Sequence, residues 1–479
     1  MTTHRNAPNR PSDLRDAVAE DLRTSGAYAA GFNDLAVNAS DIKTFTDAQI
    51  TPDISKSFSA LKPPLSNKWY GSDSRQALMQ FTAYVIYDVP DYYPVSQILS
   101  DPEQRKMISN LVDRQLKHMF GAFTTHPDFV FNPGIPSSDY TVNLLGAEEV
   151  PGGLHAKISY SYSDIVVFSK SLLSGSGLQR IKFVLPKDPV TIYKKGFSRS
   201  SSKNLCTDEH YNTEYDFWYF WNPYKEGCPI DDGDLVTVQT DLKPMDVTRD
   251  TYPEYTRLYG GNGGGEALQV TYLVGVNANF DDGDVGKETF QNAFAGLHAA
   301  GFKVTMDKPE HKRLSFCAGA KCTSVDMRLM DSRSSEFGGA AARGMQTADI
   351  FLYDGHSGLG GNLNIDRLSD IIGQPLTLPN KYQIFFFRGC STYAYYNHPY
   401  FKLKSSDSDP KGTKNLDIIT TGIGAKFAVG AKADVAFLTS IAFGQRPSWQ
   451  TIIDRINAAE GELSALTHVN GDEDNPQTP

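Results

Sequence analysis

The sequence has no hydrophobic run long enough to cross a membrane, no long basic run and no internal repeat. None of its 479 residues falls in a stretch of the roughly 18 apolar residues that a membrane-spanning helix needs. Lysine and arginine number 46 against 56 aspartates and glutamates, which gives a net charge of −10. An acidic chain without a basic patch is poorly suited to nucleic acid or to an anionic membrane surface. We therefore expect neither nucleic-acid binding nor membrane insertion, and the oligomeric state stays open.

Cysteine is scarce, with five residues, and the first residues lack the apolar segment of a secretory signal peptide. Cys206 and Cys228 bracket an aromatic segment, Cys317 and Cys322 bracket four residues, and Cys390 is left over. Two closable loops plus one odd thiol are typical of an exported protein with a reactive cysteine, whereas five free thiols would fit a cytosolic protein. The localisation stays open, with the possible disulfides pointing to export.

Length and composition predict more than one domain. At 479 residues the chain exceeds the size at which a single hydrophobic core stops growing. The middle of the chain is rich in strand-forming Val, Ile, Tyr and Phe, a glycine run then breaks regular structure, and strands alternate with helices after it. The predicted segments are a polar lead-in at 1–75, a β-rich or α+β domain at 76–259, a linker at 260–265, an α/β domain at 266–462 and a disordered tail at 463–479.

The α/β domain is predicted to contain a mostly parallel sheet flanked by helices. Leu268–Val276 is a continuous apolar run of the kind buried on both faces of such a sheet. In the helix that follows, Phe290, Ala293 and Leu297 lie on one face, and Gly301 ends it. Further strands are predicted at FKVTM, DIFLYD, YQIFFF and NLDIITT, and further helices at IDRLSDII and SWQTIIDRINAAEGEL. The ligand site of such a sheet lies beyond the carboxyl ends of its strands.

One segment of this domain, at 331–345, is rich in small residues. It reads DSRSSEFGGAAARGM and contains two arginines. We expect it to be an exposed linker, open to an activating proteolytic cut.

Two loops that follow apolar strands carry residues with catalytic chemistry. The loop YDGHSGLGG holds His356 and Ser357, and the loop RGCSTYAYY holds Cys390. If the two preceding strands are neighbours, His356 and Cys390 lie side by side. An imidazole next to a thiol can accept its proton and so produce the nucleophilic thiolate. Backbone N–H groups in tight turns can then stabilise an oxyanion.

The motif DIFLYDGHSG followed by YQIFFFRGCS resembles the caspase-like cysteine peptidases, the group containing caspases, legumains, gingipains and clostripain. The resemblance covers roughly Leu268–Ala459. It implies a cysteine endopeptidase that hydrolyses a protein or peptide substrate through a thioester and needs no cofactor. It makes Cys390 the nucleophile, His356 the general base or acid, and the backbone N–H groups of Ser357 and Cys390 the oxyanion hole. The family usually has glycine directly after the histidine, where this chain has Ser357.

The resemblance also indicates which residues select the substrate. It places Arg388, two residues before the nucleophile, in the pocket for the residue before the scissile bond, together with Asp281 and Asp282 from the loop after the first strand. A free guanidinium would favour an acidic substrate residue, and an excess of carboxylate would favour Arg or Lys. If the two pair, the pocket is nearly neutral. The three aspartates of NFDDGD favour a basic preference.

Two other functional classes remain as alternatives. A serine esterase would use Ser357, but the G-x-S-x-G elbow needs glycine at position 359, where the chain has Leu359. A catalytically inactive caspase-like protein would instead bind a polymer or a partner through its β-rich half.

A metal site is a weaker alternative. The segment 277–288 has the acidic spacing of a calcium loop, but Asp282 occupies the position that requires glycine. His311, Cys317 and Cys322 lack a fourth zinc ligand at the usual spacing. We therefore predict no metal.

Export predicts that Cys206 is bridged to Cys228 and Cys317 to Cys322, with Cys390 a free thiol. The longer bridge should stabilise the fold by roughly 3 kcal/mol in the chain-entropy treatment. Mass spectrometry of peptides prepared without reduction checks the pairing. Four free thiols at these positions in natively prepared protein would contradict the prediction and remove the main argument for export.

Overall fold

A computed structural model describes residues 70–71, 73–90, 93–129, 133–152, 154–173, 178–207, 213–245, 251–259, 267–276 and 284–472. The described residues form two compact units. We call those from 76 to 245 the N-terminal unit, and those from 251 to 472, with 70–75, the C-terminal unit. The first strand, β1 (Tyr70–Gly71), belongs to the C-terminal unit. Both units combine helices with a sheet, so the protein is of the mixed α/β class.

The N-terminal unit contains a six-stranded sheet in the order β3-β5-β2-β9-β6, with β4 paired to β5. Its strands are β2 (Ser74–Asp88), β3 (Gly134–Ile135), β4 (Thr141–Glu149), β5 (His155–Ser169), β6 (Gln179–Pro186) and β9 (Leu235–Pro244), and a separate hairpin joins β7 (Phe197–Ser198) to β8 (Lys203–Asn204). In β2, alternate residues such as Met79, Phe81 and Val85 are buried, which is the period expected of a strand with one face on a core.

The helices of the N-terminal unit are α1 (Pro102–Lys117), α2 (Met119–Thr125) and α3 (Ile192–Gly196). Asp101 caps α1 by accepting bonds from the backbone N–H groups of Glu103 and Gln104, each at 2.9 Å. The apolar face of α1, which includes Ile108 and Val112, packs into the same core as the sheet. The disulfide Cys206–Cys228 lies in this unit.

The C-terminal unit contains a nine-stranded sheet in the order β1-β17-β16-β15-β14-β10-β13-β12-β11. Its strands after β1 are β10 (Leu268–Val276), β11 (Lys303–Lys308), β12 (His311–Ala318), β13 (Lys321–Asp331), β14 (Ile350–Asp354), β15 (Gln383–Arg388), β16 (Leu416–Thr420) and β17 (His468–Asn470). The five strands from β13 to β16 in this order are parallel. The strands at both edges pair antiparallel. The sheet is therefore mixed: its centre is parallel as predicted, but the β11–β12–β13 hairpins extend one edge, and β17 and β1, which lie far from β16 in the chain, extend the other.

Helices cover both faces of this sheet. They are α4 (Tyr255–Leu258), α5 (Val285–Ala299), α6 (Ser335–Thr347), α7 (Ile365–Ile372), α8 (Thr392–Tyr396), α9 (His398–Lys404), α10 (Phe427–Ala442) and α11 (Trp449–Glu460). Successive strand residues point to opposite faces, so Tyr272 and Leu352 join the core under α5, α10 and α11, while Leu273 and Phe351 join the core under α6 and α7. None of the described helices is long and apolar enough to cross a bilayer.

Several elements differ from the sequence predictions. The segment 331–345 is not an exposed linker, because most of it forms the buried helix α6. Its glycines permit close packing: a Cβ on Gly344 would lie 2.7 Å from Thr271. The strand FKVTM is β11, but it pairs antiparallel with β12, and Cys317 faces Cys322 across the β12–β13 hairpin, where they form a disulfide.

The limits of the C-terminal unit also differ from those expected. Residues 251–259 pack within it, since the hydroxyl of Tyr255 donates to the carbonyl of Pro447 at 2.7 Å. The glycine run 260–265, the predicted linker, lies outside the described residues, as does the lead-in up to residue 69. Residues 463–472, predicted as part of a disordered tail, include β17, which pairs with β16.

A buried carboxyl group in the N-terminal unit makes stability depend on pH. Asp164 is 3% exposed and accepts bonds from the backbone N–H of Ser137 at 2.9 Å and from the hydroxyl of Tyr162 at 2.7 Å. Burial raises the pKa of Asp164 to about 6, although these bonds lower it. Because the folded-state pKa exceeds the unfolded one, this group contributes most stability at low pH and loses it as pH rises towards about 6.

We predict that Asp164→Asn removes this dependence. Between about pH 4 and pH 7 the free energy of unfolding of the wild type should fall relative to the variant by up to about 3 kcal/mol, since each pKa unit corresponds to about 1.4 kcal/mol. Urea unfolding at both pH values measures the difference. Asp232→Asn, at an exposed carboxylate, is the control. An Asp164→Asn difference that is the same at both pH values would contradict the prediction.

Candidate active site

The two predicted catalytic side chains follow neighbouring parallel strands. Asp354 of β14 pairs in register with Arg388 of β15, and the N–H of Gly355 donates to the carbonyl of Arg388 at 3.0 Å. His356 and Cys390 each come two residues after this pair. The structure therefore brings them to the same end of adjacent strands, as the sequence predicts for neighbouring strands.

The histidine loop is a tight left-handed turn. Gly358, Leu359 and Gly360 have φ values of 58°, 53° and 88°, a region that favours glycine. The hydroxyl of Tyr353 and the side-chain amide of Asn362 both donate to the carbonyl of His356 at 2.6 Å. These bonds hold the loop backbone. The glycines with positive φ, Gly358 and Gly360, are needed for the turn itself.

The cysteine turn has the strand–turn–helix form. β15 ends at Arg388, and Ser391 adopts a left-handed φ of 55° before α8 begins at Thr392. The hydroxyl of Thr392 donates back to the carbonyl of Phe387 at 2.7 Å, and the N–H of Ser391 donates to the carbonyl of Ile423 at 3.2 Å. Cys390 thus sits at a sharp turn fixed from both sides.

Gly389 allows the two loops to approach each other. A Cβ at this position would lie 2.6 Å from the carbonyl oxygen of Gly355 and 3.6 Å from the backbone nitrogen of Ser357. The predicted oxyanion donor Ser357 therefore has its backbone N–H next to the cysteine turn. The other predicted donor, the N–H of Cys390, belongs to the turn itself.

The space next to the sulfur is small. A cavity of about 10 Å³, about enough for one water molecule, adjoins Cys390, which is 4% exposed. The cavity is lined by Asp354, Gly355, Arg388, Gly389, Cys390, Ala425 and Phe427. The ring of Phe427 also packs edge-on against that of His356, with centroids 4.9 Å apart. A polypeptide reaches the sulfur only if these lining residues move.

Arg388 is buried in an ion pair rather than open to a ligand. One guanidinium nitrogen donates to both carboxylate oxygens of Asp354 at 3.2 and 3.3 Å, and another donates to the carbonyl of Lys426 at 2.8 Å. Its Nε lies 3.8 Å from the carboxylate of Glu460. Arg388 is 1% exposed, so it lines the cavity without offering a free charge. The expected pairing partners, Asp281 and Asp282, lie outside the described residues.

A further carboxyl group completes this buried cluster. Asp434 on α10 accepts a bond from the hydroxyl of Tyr272. Burial and the neighbouring Asp354 raise the pKa of Asp434 well above its ordinary value. Burial also raises the pKa of Glu460, to about 7, against the opposing effect of Arg388. Burial disfavours the charge of Arg388, but Asp354 and Glu460 outweigh it and raise the Arg388 pKa.

Most of this cluster was not predicted from the sequence. Asp354 was visible as an acid directly after an apolar strand. Asp434 was visible as a lone acid in an apolar segment, but that segment, α10, was not predicted as a helix. Glu460 ends a helix that was predicted, yet nothing local connects it to Arg388.

The geometry gives little support to the alternative serine esterase and metal sites. Ser357 precedes a left-handed turn, and the next helix begins only at Ile365, so Ser357 is not on a strand–turn–helix elbow. Cys317 and Cys322 are bonded to each other, and His311 pairs with Asp326. Among the described residues no cluster of three or more His, Cys, Asp or Glu side chains is arranged to hold a metal ion. Most of the calcium-like segment 277–288 is not described.

Comparisons with protein-family models, with curated proteins and with solved structures find no match for this chain. The function has to be inferred from the site itself.

Gly389→Ala should disturb the site more than the rest of the fold. The new Cβ meets a backbone oxygen at 2.6 Å, so the two loops must separate, at a cost of about 1–3 kcal/mol in stability. We expect labelling of Cys390 by a thiol-reactive probe to change at least severalfold. Gly146→Ala is the matched control, because its Cβ meets no atom within 4 Å. Equal labelling and equal thermal unfolding of the two variants would argue against close packing of the loops.

Proposed function

We propose that the C-terminal unit is a caspase-like cysteine endopeptidase with Cys390 as nucleophile and His356 as its base. The observation that carries the proposal is the register of β14 with β15, which sets the two residues at equivalent positions beyond adjacent parallel strands. A sheet with a parallel centre and helices on both faces agrees with the resemblance to the caspase-like group. A cysteine and a histidine at one strand edge are the minimum set for nucleophilic acyl transfer.

The reaction follows from these positions. His356 accepts the thiol proton, and the thiolate of Cys390 attacks the carbonyl carbon of the scissile peptide bond. The negative charge that develops on the carbonyl oxygen is stabilised by the backbone N–H groups of Ser357 and Cys390. Protonated His356 then donates its proton to the leaving amine, which leaves a thioester. His356 next activates a water that hydrolyses the thioester and releases the thiol.

The buried ion pair affects the expected specificity. Arg388 is compensated by Asp354 and, when ionised, by Glu460, so it does not favour an acidic substrate residue. This leaves a basic or a small uncharged residue before the scissile bond, and we propose a basic one. The proposal depends on the loop with Asp281 and Asp282, since the described residues supply no unpaired cation to the cavity to oppose it.

The closed cavity is equally consistent with a second function, that of an inactive protein that only binds a partner. The cavity next to Cys390 holds about one water, so an inactive protein that only binds a partner would also have this closed site. A latent peptidase whose lining segment must move would look the same. The two functions differ in whether hydrolysis can be observed at all.

Three substitutions test the proposal. Cys390→Ala should abolish peptide hydrolysis and probe labelling, and His356→Ala should lower hydrolysis by about 10²–10⁴-fold because proton transfer is lost. Ser357→Ala should cost little, because alanine keeps the backbone N–H. A peptide library cleaved by the wild-type protein identifies a substrate, and its rate of hydrolysis is then measured for each variant.

The same panel separates the alternatives. Full hydrolysis by Cys390→Ala would sink the proposal, and loss of ester hydrolysis in Ser357→Ala would indicate a serine esterase. Absence of hydrolysis by the wild type would favour the binding function.

A further inference from the structure

A ring of contacts closes around the backbone of Cys390. Its first link is the ion pair of Arg388, two residues before the cysteine, with Glu460 at the end of α11. Glu460 accepts bonds from the hydroxyl of Thr467 at 3.0 and 3.1 Å and from the N–H of Ala465 at 3.5 Å.

The ring returns to the cysteine through two loops. The carbonyl of Ala465 accepts bonds from the N–H groups of Gly422 at 2.9 Å and Ile423 at 3.2 Å. The carbonyl of Ile423 in turn accepts the bond from the N–H of Ser391 at 3.2 Å. The ring therefore fixes the residue two before the nucleophile and the residue directly after it.

The cysteine turn needs such support. Ser391 holds a left-handed φ of 55°, which is unfavourable for a residue other than glycine and persists only where surrounding contacts impose it. The side chains that take part in the ring are those of Arg388, Glu460 and Thr467. Among them, Glu460 contacts both Arg388 and the segment 465–467, so it connects the strand end at Arg388 to that segment. Glu460 is 2% exposed and cannot exchange these partners for water.

We propose that Glu460 is a positioning residue for Cys390, which holds the cysteine turn in the geometry in which His356 accepts the thiol proton. This inference rests on the proposed function. Glu460 does not line the cavity next to the sulfur, so its effect passes through Arg388 and through the backbone of 422–423 and 465.

Charged side chains from several elements influence the ionisation of Glu460. Arg388 on β15 favours its ionised form, while Asp73, before β2, disfavours it. Asp354 on β14 and Asp434 on α10 also interact electrostatically with Arg388. Removing the charge of Glu460 without any change of geometry would favour the thiolate and so lower the pKa of Cys390, because a nearby negative charge opposes ionisation. Loss of positioning has the opposite sign.

The test is the pH dependence of Cys390 alkylation by iodoacetamide in the full-length protein, with thermal unfolding of each variant. We expect Glu460→Gln to raise the apparent thiol pKa by about one unit towards the ordinary 8.5, so that alkylation near pH 7 slows about tenfold. In peptide hydrolysis kcat should fall by a similar factor with KM nearly unchanged. Glu462→Gln, an exposed residue with the same charge change, should leave all values unchanged.

Two further variants keep the outcome decisive. If Glu460→Gln does not fold, Thr467→Val removes one link of the ring while keeping the carboxyl group of Glu460, whose pKa rises further without this bond, and should shift the thiol pKa in the same direction by less. A thiol pKa that is unchanged or lowered in the folded variants overturns the inference. His356→Ala separates failure of the proposed function: if it leaves the alkylation profile of the wild type unchanged, no dyad exists and the positioning role falls with it.

Discussion

The parallel pairing of β14 with β15 is the constraint on which the candidate site depends. It sets Asp354 opposite Arg388. His356 and Cys390, each two residues further along, therefore lie in the turns that leave these two neighbouring strand ends. The ion pair between these two side chains adds a bond between the same strand ends. Burial makes this pair hard to break, since removing one partner leaves the other charge in a medium that cannot solvate it.

Small residues let the rest of the unit close around that pair. A Cβ on Gly430 of α10 would lie 2.3 Å from a carboxylate oxygen of Asp354 and 2.5 Å from the guanidinium of Arg388. The helix can therefore pass directly over the charged groups and exclude water from them. Burial, and after it the neighbouring carboxylate of Asp354, raise the pKa of Asp434, one turn further along the helix. Packing and ionisation in this region are thus set by the same contact.

Elements with a strong local signal could be predicted from the sequence. β10, β14 and β15 consist mostly of apolar residues, and α5 repeats its apolar residues with the helical period, so their type and order follow from the pattern. The β12–β13 hairpin mixes charged and apolar residues and was not predicted, and α6 was predicted as a linker because it is rich in glycine and alanine.

The candidate site divides in the same way. His356 and Cys390 could be found because strand order places them, whereas Asp434 and Glu460, the other carboxyl groups near Arg388, come from helices far along the chain. Contacts of that kind depend on how elements pack, and no local pattern encodes them.

The chain holds two disulfides and one cysteine outside them, Cys390, and the burial of Cys390 bears on how these coexist. Thiol–disulfide exchange requires a thiolate to reach a sulfur in line, and Cys390 at 4% exposure is shielded from such attack while the site is closed. If the proposed peptidase opens its site for a substrate, that shield is lost. An oxidising compartment would then preserve the resting thiol but expose the open one to oxidation, and a reductant that protects the open thiol would also act on any accessible disulfide. The proposed function therefore requires a redox potential at which the disulfides persist and the opened thiol stays reduced.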